Sequence, residues 1–390
     1  MSGPLRIMYF IGSLRLGGAE KQVVELALGL DRSRFRVEIC CLNQGGPMVD
    51  AVRADGIPVH IFNTSLPWGK FNPRSWIHLA RHLWGILRQV RRSRPDIIHG
   101  YLFTAYVTGI ICGKIAGVPV LISSRRSLGF FKEDKPWRQP LENFVNRWTH
   151  AIIPNSKAVL EDCIRRERNG KGKYRVIYNG VDVERYSTGP AEPSVRAEWG
   201  IAPGDLLVGC VANLIHYKGH LEILDAAVLL REEFPRLRFV FVGRDGGMEK
   251  AIVERRDALG LRDCVILAGS RSDVDRLIPA FDVLLLASHE EGFSNVLLEG
   301  MACGRPIVAT AVGGNAESVT HGETGLIIPP RDPAAMAEAL AALMRDPDLR
   351  RRLGDAGRIR VEREFSRERM IQNMDEFYLE IAAKSFGKRT

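Results

Sequence analysis

Several features that would settle the class of this 390-residue chain at once are missing from it. Its seven cysteines, at positions 40, 41, 112, 163, 210, 264 and 303, are odd in number and scattered, with no C-x-x-C pair and no Cys/His ligand spacing. That argues against a disulfide framework and a structural zinc, and for a reducing compartment. Long apolar runs are missing too: the longest, Tyr101 to Gly113, is too short to span a bilayer and is followed by Lys114 and Pro119. The opening MSGPLRIMYFIG enters a strand-like apolar run without the charged region, long apolar core and cleavage site of a signal peptide. A cytoplasmic protein is expected, meeting a membrane only at its surface. D-x-D strings occur only at Asp273-Val274-Asp275 and Asp346-Pro347-Asp348, in helical or helix-connecting contexts, so no metal ion is expected. From Gly56 to Pro95 acidic residues are absent, while Lys70, Arg74, Arg81, Arg88, Arg91, Arg92 and Arg94 supply cations.

What is present is an ordinary globular composition, 45% hydrophobic and 26% charged, at a length that suggests two domains. The net charge of +9 is unevenly placed: residues 1 to 190 hold 29 basic and 15 acidic side chains, the rest 26 and 31. An anionic partner is therefore expected for the first half.

Short β-branched runs alternate with helical periods. Strands are predicted at Leu5 to Ile11, Arg36 to Leu42, Pro58 to Phe62, Asp96 to His99, Pro119 to Ser123, Ala151 to Pro154 and Arg175 to Tyr178. A second series follows at Leu206 to Ala212, Arg238 to Val242, Val265 to Ala268, Val283 to Leu286, Pro306 to Ala309 and Gly325 to Ile328. Strand-helix alternation predicts an α/β fold of two doubly wound, Rossmann-like domains with parallel sheets and a cleft between them. The boundaries read as a first domain over 1–183, a linker over 184–203, a second domain over 204–365, and a C-terminal helix over 366–390 expected to pack back toward the first domain.

The most specific segment runs from Ser288 to Gly314. A loop holding Glu290, Glu291 and Gly292 follows a predicted strand, and a helix from about Asn295 carries Glu299. Amides at the helix start, Ser294 to Val296, offer a site for a diphosphate. A carboxylate inside the helix can accept from ribose hydroxyls, one on the loop from sugar hydroxyls, and the 3.6-residue period turns both toward the cleft at different depths. A solvated helix with capping glutamates would explain the loop acids but not Glu299 with its flanking glycines. Near Asn213 a strand leads to Lys218, whose ammonium can meet phosphate oxygens. Gly12 to Glu20 forms a glycine-rich turn between strand and helix, where Gly17 and Gly18 let backbone amides approach an anion. His99 lies at a strand end, though a lone histidine is more often structural.

These residues resemble the signature of the family-four retaining glycosyltransferases of GT-B fold. Glu291-Gly292-Phe293 and Glu299 match its two-glutamate motif with seven residues between, and Cys303 to Thr310 and Gly313-Gly314 extend the match. The resemblance implies that Glu299 binds the nucleotide ribose, that Glu291 contacts the donor sugar, and that amides from Gly292, Phe293, Ser294, Asn295 and Val296 hold sugar and diphosphate. It implies catalytic roles for Glu291, Lys218 and His99, and a donor-facing loop at Gly17 and Gly18. Two departures stand out: Gly300 where alanine is commoner, and Asn213 where an arginine usually meets the diphosphate. Either one cation fewer holds the leaving group, or Arg15, Arg125, Arg126 or Arg244 takes its place.

For the acceptor side, Trp76, Leu79, Ala80, Leu83, Leu87 and Val90 form one helical stripe and Arg74, His78, Arg81, Arg88 and Arg92 another. Such a helix could lie on an anionic membrane, or its apolar stripe could pack on the first sheet. Arg125, Arg126 and the aromatics after them form a second basic patch suited to a glycan or lipid-linked acceptor. No nucleic-acid-binding module is recognisable. The expected activity is sugar transfer from a nucleotide-diphosphate donor, a UDP-sugar first of all, to a hydroxyl of a glycan or lipid-linked acceptor in cell-surface polysaccharide or glycolipid synthesis. No cofactor is expected beyond the nucleotide-sugar substrate. A sugar-nucleotide epimerase of the same architecture and a non-catalytic nucleotide-sugar-binding subunit are the alternatives.

Overall fold

The structure is a computed structural model that describes residues 3–64, 73–186, 188 and 193–387; the side chains of 73–79 and of Pro193 lie outside that description. Lys70, the side chains of Arg74, Trp76 and His78, and residues 187 and 189–192 of the expected linker therefore fall outside the described residues. The chain forms two compact units, Met1–Asn179 with Met370–Thr390, and Gly180–Arg369.

In the first unit, β1 (Leu5–Ile11), β2 (Phe35–Cys41), β3 (Val59–Ile61), β4 (Ile97–Gly100), β5 (Val120–Arg125) and β6 (Ala151–Pro154) form a parallel sheet in the order β3-β2-β1-β4-β5-β6. Side-chain alternation along β1 feeds two cores. Ile7, Tyr9 and Ile11 pack with Val23 and Leu26 of the helix Gly18–Gly29 and with Met370, Met374, Phe377 and Tyr378 of the helix Arg367–Phe386. On the other face Met8 and Phe10 join Ile98, Ile110, Ile86 and Val90.

Of the expected apolar stripe on the helix Pro73–Ser93, Val90 is buried in this core, Leu83 packs partly buried against it and Leu87 is buried, while Ala80 is exposed; Ile86, outside that stripe, joins the core as well. Arg81, Arg88, Arg91 and Arg92 are exposed, and so is Trp84 at 62%.

The second unit repeats the topology with β7 (Leu206–Val211), β8 (Leu237–Val242), β9 (Val265–Gly269), β10 (Val283–Leu286), β11 (Ile307–Thr310) and β12 (Gly325–Ile328), in the order β12-β11-β10-β7-β8-β9. All its pairings are parallel, and strands such as Val-Leu-Leu-Leu in β10 are buried throughout, as a sheet covered on both faces requires.

Two sequence expectations need correction. Arg175 to Tyr178 is not a strand: a single bridge at Tyr174 and backbone bonds from Arg175 and Ile177 lay it irregularly along the edge strand β6. The segment expected as linker contains a helix, Pro193–Glu198, followed by Trp199 stacked on Phe281 at 6.1 Å, so it belongs to the packing of the second unit. Among the described residues no helix is long and apolar enough to cross a membrane.

Candidate active site

In an open parallel sheet, ligands bind beyond the carboxyl ends of the strands where the strand order reverses. In the second unit that point lies between β7 and β10. The loops leaving these two strands hold Lys218 and Glu291.

Lys218 ends a tight turn, His216–Lys218, and Gly219 then redirects the chain into the helix His220–Leu230, so the lysine precedes the helix rather than opening it. Gly219 adopts φ +71, and a Cβ there would collide with the Ala287 carbonyl of the β10 loop. Gly313 after β11 has φ +51 and would collide with the Glu291 carbonyl in the same way. Only glycine meets both demands at these positions. Backbone bonds complete the join, from His289 N to Tyr217 O (2.7 Å) and from Gly314 N to Gly292 O (3.0 Å). Thr310 Oγ1 donates to Ser288 O at 2.6 Å. Three loops are thus held as one surface.

On that surface Lys218 Nζ donates to Glu291 Oε1 at 2.5 Å, and Ser288 Oγ donates to the same oxygen at 2.7 Å. Both partners of the ion pair are partly open, with side-chain exposures of 17% and 13%. Ser294 precedes the eight-residue helix Asn295–Ala302, and its side chain does not cap the helix. Gly292, Phe293 and Ser294 are buried, with Phe293 against Phe365 at 5.4 Å, while Asn295 and Val296 are partly exposed. Glu299 lies one turn in, buried, and accepts from the Tyr186 hydroxyl. Burial first, and then the Glu299 charge, push the Tyr186 phenol far up, so it remains a donor. Gly300 is explained by packing: a Cβ there would press into Leu284 and Ile307. Asn213 is exposed at the end of β7.

Behind the lysine, His220 is buried with its Nε2 3.9 Å from Cys210 Sγ. Burial, assisted by the Lys218 charge, lowers its pKa to about 4 and keeps it neutral.

The corresponding point of the first unit lies between β1 and β4. Gly17 precedes the helix that Gly18 begins, both exposed, and the turn is braced by Leu14 N to Gly45 O (3.2 Å) and Arg15 Nη2 to Gln44 Oε1 (2.9 Å). Across from it Leu102 holds a left-handed φ of +63, a costly conformation for a leucine.

His99 does not face a ligand here, which corrects its expected catalytic role. It is fully buried, with Nδ1 2.7 Å from Tyr378 Oη and Nε2 2.8 Å from Ser124 Oγ. Burial, then the Arg126 charge, hold its pKa well below the usual value. A neutral ring that donates through one nitrogen and accepts through the other matches these partners. Its chemistry is internal.

Arg125 is corrected likewise: it is buried at 5%, donating from Nε to Glu167 Oε1 (2.7 Å) and from Nη2 to Asn146 Oδ1 (3.0 Å), over the Tyr106 ring at 4.2 Å. Lys132 and the Tyr106 hydroxyl engage Glu142 in the same buried network. Burial would raise the Glu167 carboxyl, but Arg125 and Lys132 outweigh it and leave it below the ordinary range. Arg126 is half-buried, donating to Asn179 Oδ1 at 2.9 Å. Of the expected acceptor-side residues whose side chains are described, only Arg81 and Arg88 stand in solvent.

Asp273 pairs with Arg271 and Asp275 with Arg185, while Asp346 caps a helix. Sequence reasoning did not assign Ser288, Tyr186, Ser124 or Tyr378. Ser288 sits beside the glutamates and could have been noticed, but no local pattern links Tyr186 to Glu299.

Two doubly wound parallel units, one presenting a lysine, carboxylates and a helix start at its switch point, define a GT-B-fold glycosyltransferase. The chain belongs to the family-four glycosyltransferases. Residues 16–185 match the model described as Glycosyltransferase Family 4, and residues 192–360 match Glycosyl transferases group 1. EpsD of Bacillus subtilis is 33% identical over 61% of this chain and 63% of EpsD, so the chain spans less than two thirds of that relative. The D-inositol 3-phosphate glycosyltransferase of Pseudarthrobacter chlorophenolicus is 26% identical over 90% of this chain and 87% of its own. Anabaena HepE, solved in complex with UDP and glucose, superposes with a TM-score of 0.83 at 25% identity, covering 96% of this chain and 99% of HepE.

Proposed function

We propose that this glycosyltransferase moves a hexosyl or N-acetylhexosaminyl group from a UDP-sugar to a hydroxyl of a glycan or lipid-linked acceptor, with retention of anomeric configuration. The observation that carries this reading is the Lys218–Glu291 pair beside the start of the helix that bears Glu299, where the Ser294 side chain makes no cap. In this reading the ammonium and the helix-start amides hold the diphosphate, Glu299, fixed by Tyr186, takes the ribose hydroxyls, and Glu291 takes the sugar hydroxyls. The bond from the anomeric carbon to the phosphate oxygen breaks while the bond to the acceptor oxygen forms on the same face. The acceptor proton passes to the departing phosphate oxygen, whose charge Lys218 offsets. The presence of UDP in the HepE complex favours a uracil base.

No resident metal or cofactor takes part in this scheme. The exposed arginines of the helix Pro73–Ser93, with Trp84, suit the headgroup level of an anionic membrane, which would place the enzyme at the cytoplasmic face during polysaccharide or glycolipid synthesis. Titrating UDP-, GDP- and ADP-glucose into the protein by calorimetry tests the donor. Absence of binding by any of them would refute the reading. Full turnover in excess EDTA is expected, and the anomeric coupling constant of the product checks retention.

A further inference from the structure

The charge balance at the donor loops is unfavourable to the ligand proposed for them. Lys218 is the only Lys or Arg between Asn213 and Gly219, and its ammonium already faces Glu291. Glu290 adds a second carboxylate on the opposite loop, and Glu299 a third in the helix that follows. A diphosphate entering here meets more negative than positive charge, and one shared ammonium does not offset it.

The adjoining strand supplies another cation. β8 lies beside β7, and beyond its end the chain continues to follow the β7 loop. Ala212 N donates to Val242 O (2.9 Å), Leu214 N to Arg244 O (2.9 Å) and Gly246 N to Leu214 O (3.0 Å), with a bridge between Leu214 and Asp245. Gly243 approaches so closely that a Cβ would collide with the Ala212 carbonyl. Arg244 is thereby fixed beside Asn213. Its side chain is exposed and, among the described residues, makes no ion pair or hydrogen bond.

The following residue does not neutralise it. Asp245 Oδ1 accepts from the amides of Gly247 (2.7 Å), Met248 (3.0 Å) and Glu249 (3.1 Å) at the start of the helix Glu249–Ala258.

We propose that Arg244 is the second cation of the donor diphosphate site, its planar guanidinium bridging phosphate oxygens while Lys218 acts as a point charge. The assignment rests on the transferase reading above. It is tested by calorimetry with UDP, inorganic pyrophosphate and uridine on the wild-type chain and on Arg244→Ala and Arg244→Glu. Arg244→Ala is expected to weaken UDP and pyrophosphate binding by on the order of 10-fold, and Arg244→Glu by more, with uridine binding unchanged. UDP bound by Arg244→Glu as tightly as by wild type would overturn the assignment. An equal loss for uridine would do the same, since it would mark a change in loop structure rather than a lost phosphate contact. A wild-type chain that binds neither UDP nor pyrophosphate would overturn the donor reading itself, and the assignment with it.

Discussion

The two units use charge in opposite ways. In the first, Arg125, Lys132, Glu142 and Glu167 are buried together, and Asn146 and Tyr106 add hydrogen bonds, with Arg125 Nη1 left without one. In the second, Lys218 and Glu291 form a pair whose two side chains are both partly open to solvent. A buried ion-pair network resists exchange, because separating any pair strands a charge in low dielectric. A partly open pair can trade one partner for a ligand at little cost. The same residue types therefore serve structure in one sheet and, in the function proposed above, chemistry in the other, and accessibility distinguishes the two.

Breaking the buried network should give the largest effect on stability. Glu167→Ala leaves Arg125 without its main counter-charge, and a loss of about 3–5 kcal/mol is expected in denaturant unfolding. A loss below about 1 kcal/mol would place the network with dispensable surface pairs. Lys218→Ala should do the reverse, lowering turnover on the order of 100-fold while unfolding changes by about 1 kcal/mol or less. Steady-state kinetics and thermal unfolding of the same sample separate the two effects.

Acid should sharpen the contrast further. The folded pKa of His220 is depressed to about 4, so below the unfolded value of about 6.5 the unfolded chain binds the extra proton. Stability of the second unit is expected to fall between those two pH values by at most about 3 kcal/mol. His220→Gln should flatten that slope, and an unchanged slope would assign it to other groups. His99 imposes the same sign on the first unit. Glu167, whose pKa is depressed, keeps its contribution until the pH falls through the carboxylate range. The smallest stability effect belongs to Arg81→Glu with Arg88→Glu, within about 0.5 kcal/mol, although binding to anionic vesicles should weaken by about 1 kcal/mol per lost arginine.

The periodicity of the sequence reports most of the fold because parallel strands covered on both faces are short apolar runs that little else imitates. β1, β6, β10 and β12 match their expected spans, and most other strands shift by a residue or two. Arg175 to Tyr178 has a strand's composition but lies along an edge that offers only one bridge. The loop that carries Glu291 and the helix that carries Glu299 are legible because they are contiguous in sequence. The fates of Arg125 and His99 are not, since Glu142 and Glu167 lie 17 and 42 residues from Arg125, and Tyr378 lies 279 residues from His99. Nothing local announces such partners.

The contribution of the helix Arg367–Phe386 to the first core also fixes an order of events during synthesis. Tyr378, which bonds both His99 and Tyr9, leaves the ribosome only after every strand of the second unit has been translated. The amino-terminal half therefore closes that side of its core only once the second unit has been translated, the helices Gly18–Gly29 and Val49–Ala54 covering part of it in the meantime.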